Sequence, residues 1–137
     1  MKYLITENKF NSSIYKFIDK LFSSEDGNNE IHTLPGVDEN GEELVDTYDF
    51  VNGDYYGDNG SDYVFSWTGK EYYKSLFEGG NISKFELGRL YSQSPIVEII
   101  DKNALNQLNG YFGDKWTPVF KQWFKDKTGL DFKTLYS

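Results

Sequence analysis

Apolar side chains recur at helical spacing near the start of the chain. Phe10, Ile14, Phe17, Ile18, Leu21 and Phe22 fall on one stripe, which predicts an amphipathic helix. Thr6 is its expected N-cap, and Glu7 suits the positive end of the helix dipole. Ile5 and Phe10 complete a hydrophobic staple. The turn-rich run Ser23-Ser24-Glu25-Asp26-Gly27 ends the helix.

The period then changes. Residues 30–41 read as irregular, with turns at Pro35-Gly36 and Asn40-Gly41. Leu44 to Asn52 alternates loosely, with Tyr48 and Phe50 on one parity and Thr47, Asp49 and Val51 on the other. Tyr63, Phe65 and Trp67 alternate with Val64 and Ser66. Both runs are rich in β-branched and aromatic residues, as strands prefer. The turn formers Asn52-Gly53 and Asn59-Gly60 lie between them, so the pair predicts a hairpin.

Lys70 to Gly80 fits a short helix or a third strand. Asn81 to Ser92 is also open: Ser83 and Glu86 match a capping box, whereas Phe85, Leu87, Arg89 and Tyr91 alternate. Pro95 ends that segment and Ile96 to Ile100 reads as a strand. Asp101 is placed to cap a helix carrying Leu105, Leu108 and Phe112, with Gly113 at its end. Asp114 is expected to cap the next, whose apolar face is Trp116, Val119, Phe120, Trp123 and Phe124. Pro118 is tolerated in the first turn of that helix, where amide protons lack intrahelical partners. Gly129 suits its C-terminus, and Leu130 to Tyr136 reads as a last short strand.

The fold class expected from this order is α+β. A small antiparallel sheet with a central hairpin carries the N-terminal amphipathic helix and two C-terminal helices on one face. The length suits a single domain over 1–137. Although the hydrophobic share is only 38%, the chain holds 11 Tyr, 11 Phe and 3 Trp, so large rings can build the core that aliphatics do not.

Composition removes several kinds of chemistry. With no cysteine there are no disulfides, zinc–thiolate sites, thiol nucleophiles or iron–sulfur clusters. The opening residues lack an apolar signal segment, and no apolar run approaches the ~20 residues of a membrane span. A soluble, cytoplasmic protein is therefore expected. Net charge is -8, and Leu21 to Gly69 contains twelve acids without one lysine or arginine. That field repels phosphate backbones and attracts basic partners or divalent cations.

The stretch Gly53 to Phe65 is the one candidate metal site. Asp54, Asp58 and Asp62 stand four residues apart among glycines, and Gly57 to Phe65 approaches the nonapeptide of calcium-binding β-helices. Calcium takes hard oxygen ligands of this kind. Such sites form between stacked repeats, however, and here there is one copy, while EF-hand spacing is absent. A solvated hairpin tip has the same composition. His32 is the sole histidine, and its neighbours place it in a loop. No Ser-His-Asp set can be built from it. Gly69-Lys70 is followed by Glu71, which excludes a P-loop. The acids could pair for glycoside hydrolysis, but a catalytic carboxyl needs an apolar pocket, not a turn-rich run.

The segments "KYLITENKF" and "LNGYFGDKWTPVFKQWFKDKTGLDFKTLY" resemble parts of small uncharacterised proteins of uncultured marine bacteriophages. An N-terminal "LITE" and a C-terminal "FGDxW…F..WF" recur there. The resemblance covers about a quarter to a third of the chain and consists of packing and capping residues. It implies a viral origin and carries over no reaction and no functional residue.

Two functions follow as expectations. The first is a non-enzymatic acidic module that binds a basic host or viral protein, in its sharper form by mimicking the charge of DNA. The second is a calcium- or carboxylate-dependent carbohydrate-active enzyme or lectin. The first ranks higher because the second lacks every specific signature.

Overall fold

The computed structural model describes residues 2–22, 31–52 and 62–136, with side chains from Lys9 onward except Asn52 and Asp62. In chain order the elements are α1 (Lys2–Phe22), β1 (Ile31–Val37), β2 (Glu43–Asn52), β3 (Asp62–Thr68) and α2 (Lys70–Glu78). They continue with α3 (Lys84–Gln93), β4 (Ile96–Ile99), α4 (Lys102–Phe112), α5 (Trp116–Thr128) and β5 (Thr134–Tyr136). The strands form one sheet in the order β1-β2-β3-β4-β5. β1 to β4 pair antiparallel, with β2 and β3 as the expected central hairpin. β5 joins parallel to β4. Two helices lie between those strands and return the chain to the same end of the sheet, as a parallel pairing requires.

The expected α+β fold is present, and several local expectations change. Residues 31–37 form an edge strand where turns were expected, so His32 sits in a strand. Pro35 is tolerated there because an edge strand does not need every amide proton. The register shifts between Pro35 and Val37. Gly36 between them packs so closely that a Cβ would lie 2.2 Å from Thr47 Oγ1. Helix α1 begins at Lys2, so Thr6 lies inside it; neither Gly nor Pro interrupts residues 2–6. Lys115, not Asp114, is the N-cap of α5, without a side-chain capping bond.

Both segments left open are helical. In α3 the capping signal outweighs the alternation: Ser83 Oγ accepts a hydrogen bond from the Glu86 amide at 3.1 Å. Asp101 caps α4 as expected, accepting from the Ala104 amide at 3.1 Å. Gly129 ends α5 in the left-handed region at φ 75°, where glycine pays no Cβ penalty.

Strand register decides where the core forms. Phe50 lies opposite Phe65, and Phe65 opposite Ile99; Tyr48 lies opposite Trp67, and Trp67 opposite Val97. Directly paired residues share a face, so these six side chains form one surface. Ile14, Ile18 and Phe22 of α1, Leu105 and Leu108 of α4, and Phe120, Trp123 and Phe124 of α5 pack on it. Phe65 is central, edge-on to Phe22 at 4.9 Å and to Phe120 at 5.5 Å between ring centres. Such pairs add about 1 kcal/mol each beyond area burial.

Every indole N–H finds an acceptor. Trp67 donates to the Asp131 carbonyl at 2.8 Å, Trp116 to Asn109 Oδ1 at 2.8 Å and Trp123 to Asp19 Oδ1 at 3.1 Å. No helix among the described residues is long and apolar enough to cross a membrane.

Candidate functional site

The β1–β2 hairpin carries the densest acidic stretch of the described chain. Residues 31–52 hold six acids and no lysine or arginine. Asp38 organises the turn: its Oδ1 accepts from the amides of Asn40 and Glu42, both at 2.9 Å. Gly41 supplies the positive φ that closes it. Glu39, Glu42 and Glu43 are left exposed around this turn.

Asp46 does different work. It sits in β2 at φ 57°, a conformation Asp tolerates better than most residues. Its Oδ2 accepts from the Glu71 amide at 3.1 Å in the first turn of α2. Gly69, the N-cap residue, has no side chain to do this. The contact fixes the start of α2 against the β1–β2 hairpin.

The sheet face opposite the core begins where α2 is anchored. Leu34, Asp49, Ser66, Glu98 and Tyr136 lie in one row across all five strands. Thr47 and Thr68 form the neighbouring row. A cleft of about 210 Å³ opens here, and its lining includes Gly36, Thr47, Asp49, Ser66, Thr68 and Tyr72. Burial pushes the Asp49 carboxyl above the usual carboxylate range. Tyr73, beside Tyr72 on α2, is raised chiefly by burial, with a hydrogen bond to Thr68 acting in the opposite sense. The cleft lining includes Asp49 but not Glu98.

A larger groove of about 610 Å³ runs between α1 and α5, and Tyr15, Asp19 and Gln122 on its rim are engaged in bonds that hold the helices. Tyr15 donates to Asp126 Oδ2 at 2.8 Å, and Gln122 donates to Asp126 Oδ1 at 2.8 Å. Burial, then the bond to Asp126, holds the Tyr15 hydroxyl up at about 12. The Tyr15 bond in turn holds Asp126 below its usual range. Asp19, which also lines the groove, accepts from Trp123 and pairs with Lys127 at 3.0 Å. These bonds join α1 to α5, so the groove is a seam between packed helices. The smaller cleft gathers polar groups on the sheet face: Thr47 donates to the Leu44 carbonyl at 3.5 Å and Thr68 bonds Tyr73, whereas the Asp49 carboxylate has no such bond to another described residue.

Of the calcium candidates, Asp54 and Asp58 lie outside the described residues. Asp62 opens β3 opposite Asn52. Among the described residues no three His, Asp or Glu side chains are grouped to hold a metal ion. Sequence reading passed over Asp49, Ser66 and Tyr72. The available signal was parity: Thr47 and Asp49, like Ser66 and Thr68, alternate with large rings, so their polar side chains share the face away from the core.

Compared with known proteins, the chain matches no family model, no curated protein and no solved structure.

Proposed function

We propose that this chain is a protein-interaction module that presents the acidic β1–β2 hairpin to a basic partner. The observation that carries the reading is the isolation of that charge. Ion pairs among the described residues join Arg89 to Glu86, Lys121 to Asp131 and Lys127 to Asp19, all outside the hairpin. Glu39, Glu42 and Glu43 are exposed on a rigid turn. The cations are elsewhere: residues 2–22 and 101–136, which form the helical layer and β5, hold ten lysines against six acids. Residues 70–93 add four cations against three acids, so the hairpin is the negative edge of a chain whose other described segments are near balance or positive, and such an edge steers a basic surface into contact.

Backbone geometry supports recognition through side chains. Pro35 interrupts the outer edge of β1, and β5 at the other edge is three residues long. Both features discourage strand addition. The resemblance to bacteriophage proteins supplies a setting in which the partner is a basic host or viral protein.

The test is binding of a fluorescent lysine- and arginine-rich peptide, followed by anisotropy at about 50 mM and about 300 mM salt. The expected result is binding that weakens with salt and falls at least about tenfold in the Glu39→Lys, Glu42→Lys, Glu43→Lys triple variant. Equal binding by that variant would overturn the proposal.

A further inference from the structure

The geometry points to the cleft between β1, β2, β3 and α2 as an anchor for one arginine side chain of the partner, an inference that rests on the acidic-hairpin reading above. The size is the first argument. About 210 Å³ is below the range of drug-sized ligand pockets, but it admits a single side chain. Its walls supply the second. A guanidinium carries five donors in a planar fork. The cleft lining includes the Asp49 carboxylate and three hydroxyl side chains, Thr47, Ser66 and Thr68, whose oxygens keep lone pairs even where Thr47 donates to Leu44 and Thr68 bonds Tyr73. Tyr72 supplies an aromatic wall on which a guanidinium can stack.

Asp49 is the third argument. It is half-buried, and no hydrogen bond or ion pair to another described residue satisfies its carboxylate. Burial raises its titration. An incoming cation offsets the hydration that burial removed. A neutral polyol would leave that carboxylate without one. The hairpin acids near the cleft add a negative field that favours a cation entering it.

Gly36 and Asp46 shape the cleft. A side chain on Gly36 would collide with Thr47, which is buried in the wall. Asp46 pins the start of α2 and so places Tyr72. The cleft is therefore formed before any partner arrives, which reduces the entropy lost on binding.

Three short Gly/Ser peptides, carrying a central arginine, lysine or citrulline, distinguish the possibilities by amide shift mapping in two-dimensional NMR. Citrulline keeps the shape of arginine and removes its charge. The arginine peptide is expected to shift the amides of Thr47, Asp49, Ser66 and Thr68 and to bind about tenfold tighter than the citrulline peptide. Asp49→Asn, which preserves shape, is expected to abolish the cleft shifts, and Tyr72→Leu to weaken them several-fold. Both variants should keep well-dispersed spectra. Equal binding of arginine and citrulline overturns the anchor. So do shifts confined to residues 38–43, but that pattern leaves the acidic-hairpin reading intact. The hairpin reading fails separately, if the triple lysine variant still binds the basic peptide as well as the parent.

Discussion

The carboxylate of Asp46 occupies the space that a side chain on Gly69 would need. A Cβ on Gly69 would lie 2.1 Å from Asp46 Oδ2, the same oxygen that accepts from the Glu71 amide. The Gly69 amide donates in turn to the Asp46 carbonyl at 2.9 Å. The capping of α2 is thus divided between a glycine that leaves room and an aspartate that arrives from the neighbouring strand.

That division predicts a non-additive pair. Asp46→Ala removes the cap and should cost about 1 kcal/mol in urea denaturation. Gly69→Ala should cost at least as much, because the methyl group meets the carboxylate. The double variant should lose less than the two single losses together, since removing the carboxylate also removes the clash. Strict additivity would show that the two residues act independently.

Asp49 predicts a gain in stability. Its folded-state carboxyl titrates above the ordinary value of 3.8 because burial disfavours the charge. Between the ordinary value and the raised one, the folded state holds a proton that the unfolded state has lost. Stability therefore falls as pH rises through that window, and the penalty stays in full above it. Asp49→Asn should be more stable than the parent near neutral pH, and the difference should close in acid below the ordinary carboxylate range. Denaturation midpoints across pH measure it. A less stable variant at neutral pH would mean that the carboxylate already has a partner. A residue that destabilises the free protein while serving a ligand is a familiar form of the stability–function trade-off.

The contrast between these two aspartates shows what could be read in advance. Asp101, Ser83 and Gly129 announce helix ends through their nearest neighbours, so local chemistry was enough to place them. The apolar stripe of α5 likewise points to its own burial, and that of α1 does so for Ile14, Ile18 and Phe22, while Phe10 stays exposed. Pro35-Gly36 misled because the same dipeptide serves a turn or an edge strand, and β2 decides which. Asp49 and Ser66 are separated by many residues and meet only through the β2–β3 register. Asp38 and Asp46 contribute to the acidic total, yet both carboxylates are engaged in holding backbone amides. The exposed acidic surface of the hairpin is consequently smaller than its composition suggests.

Tyr15 and Asp126 give a prediction on the helical side. The Tyr15 hydroxyl should titrate at about 12 when followed by phenolate absorbance. Tyr15→Phe should move the Asp126 carboxyl up toward its ordinary range, because the lost hydrogen bond is the main cause of its depression. A depressed carboxyl stabilises the fold above the ordinary value and loses that contribution as pH falls through the folded one. The variant should therefore show a weaker acid dependence of stability. Carboxyl-carbon NMR of Asp126 reads the shift directly, and an unchanged titration would assign the depression to other groups.

Asp19 tests whether the α1–α5 seam depends on polar satisfaction or on packing alone. Trp123 is only 1% exposed, and its indole N–H points to Asp19 Oδ1. The same oxygen meets Lys127, whose half-exposed ion pair contributes little by itself. In Asp19→Ala the indole N–H loses its acceptor while the ring remains packed against Phe22 and Phe65. The expected cost is about 1–3 kcal/mol, the penalty for leaving a buried donor unsatisfied. Lys127→Ala removes the ion pair and leaves the indole bond in place, so it should cost well under about 1 kcal/mol. Equal losses in the two variants would transfer the stabilisation from the hydrogen bond to the ion pair. Two small losses would show that ring packing holds the seam without either.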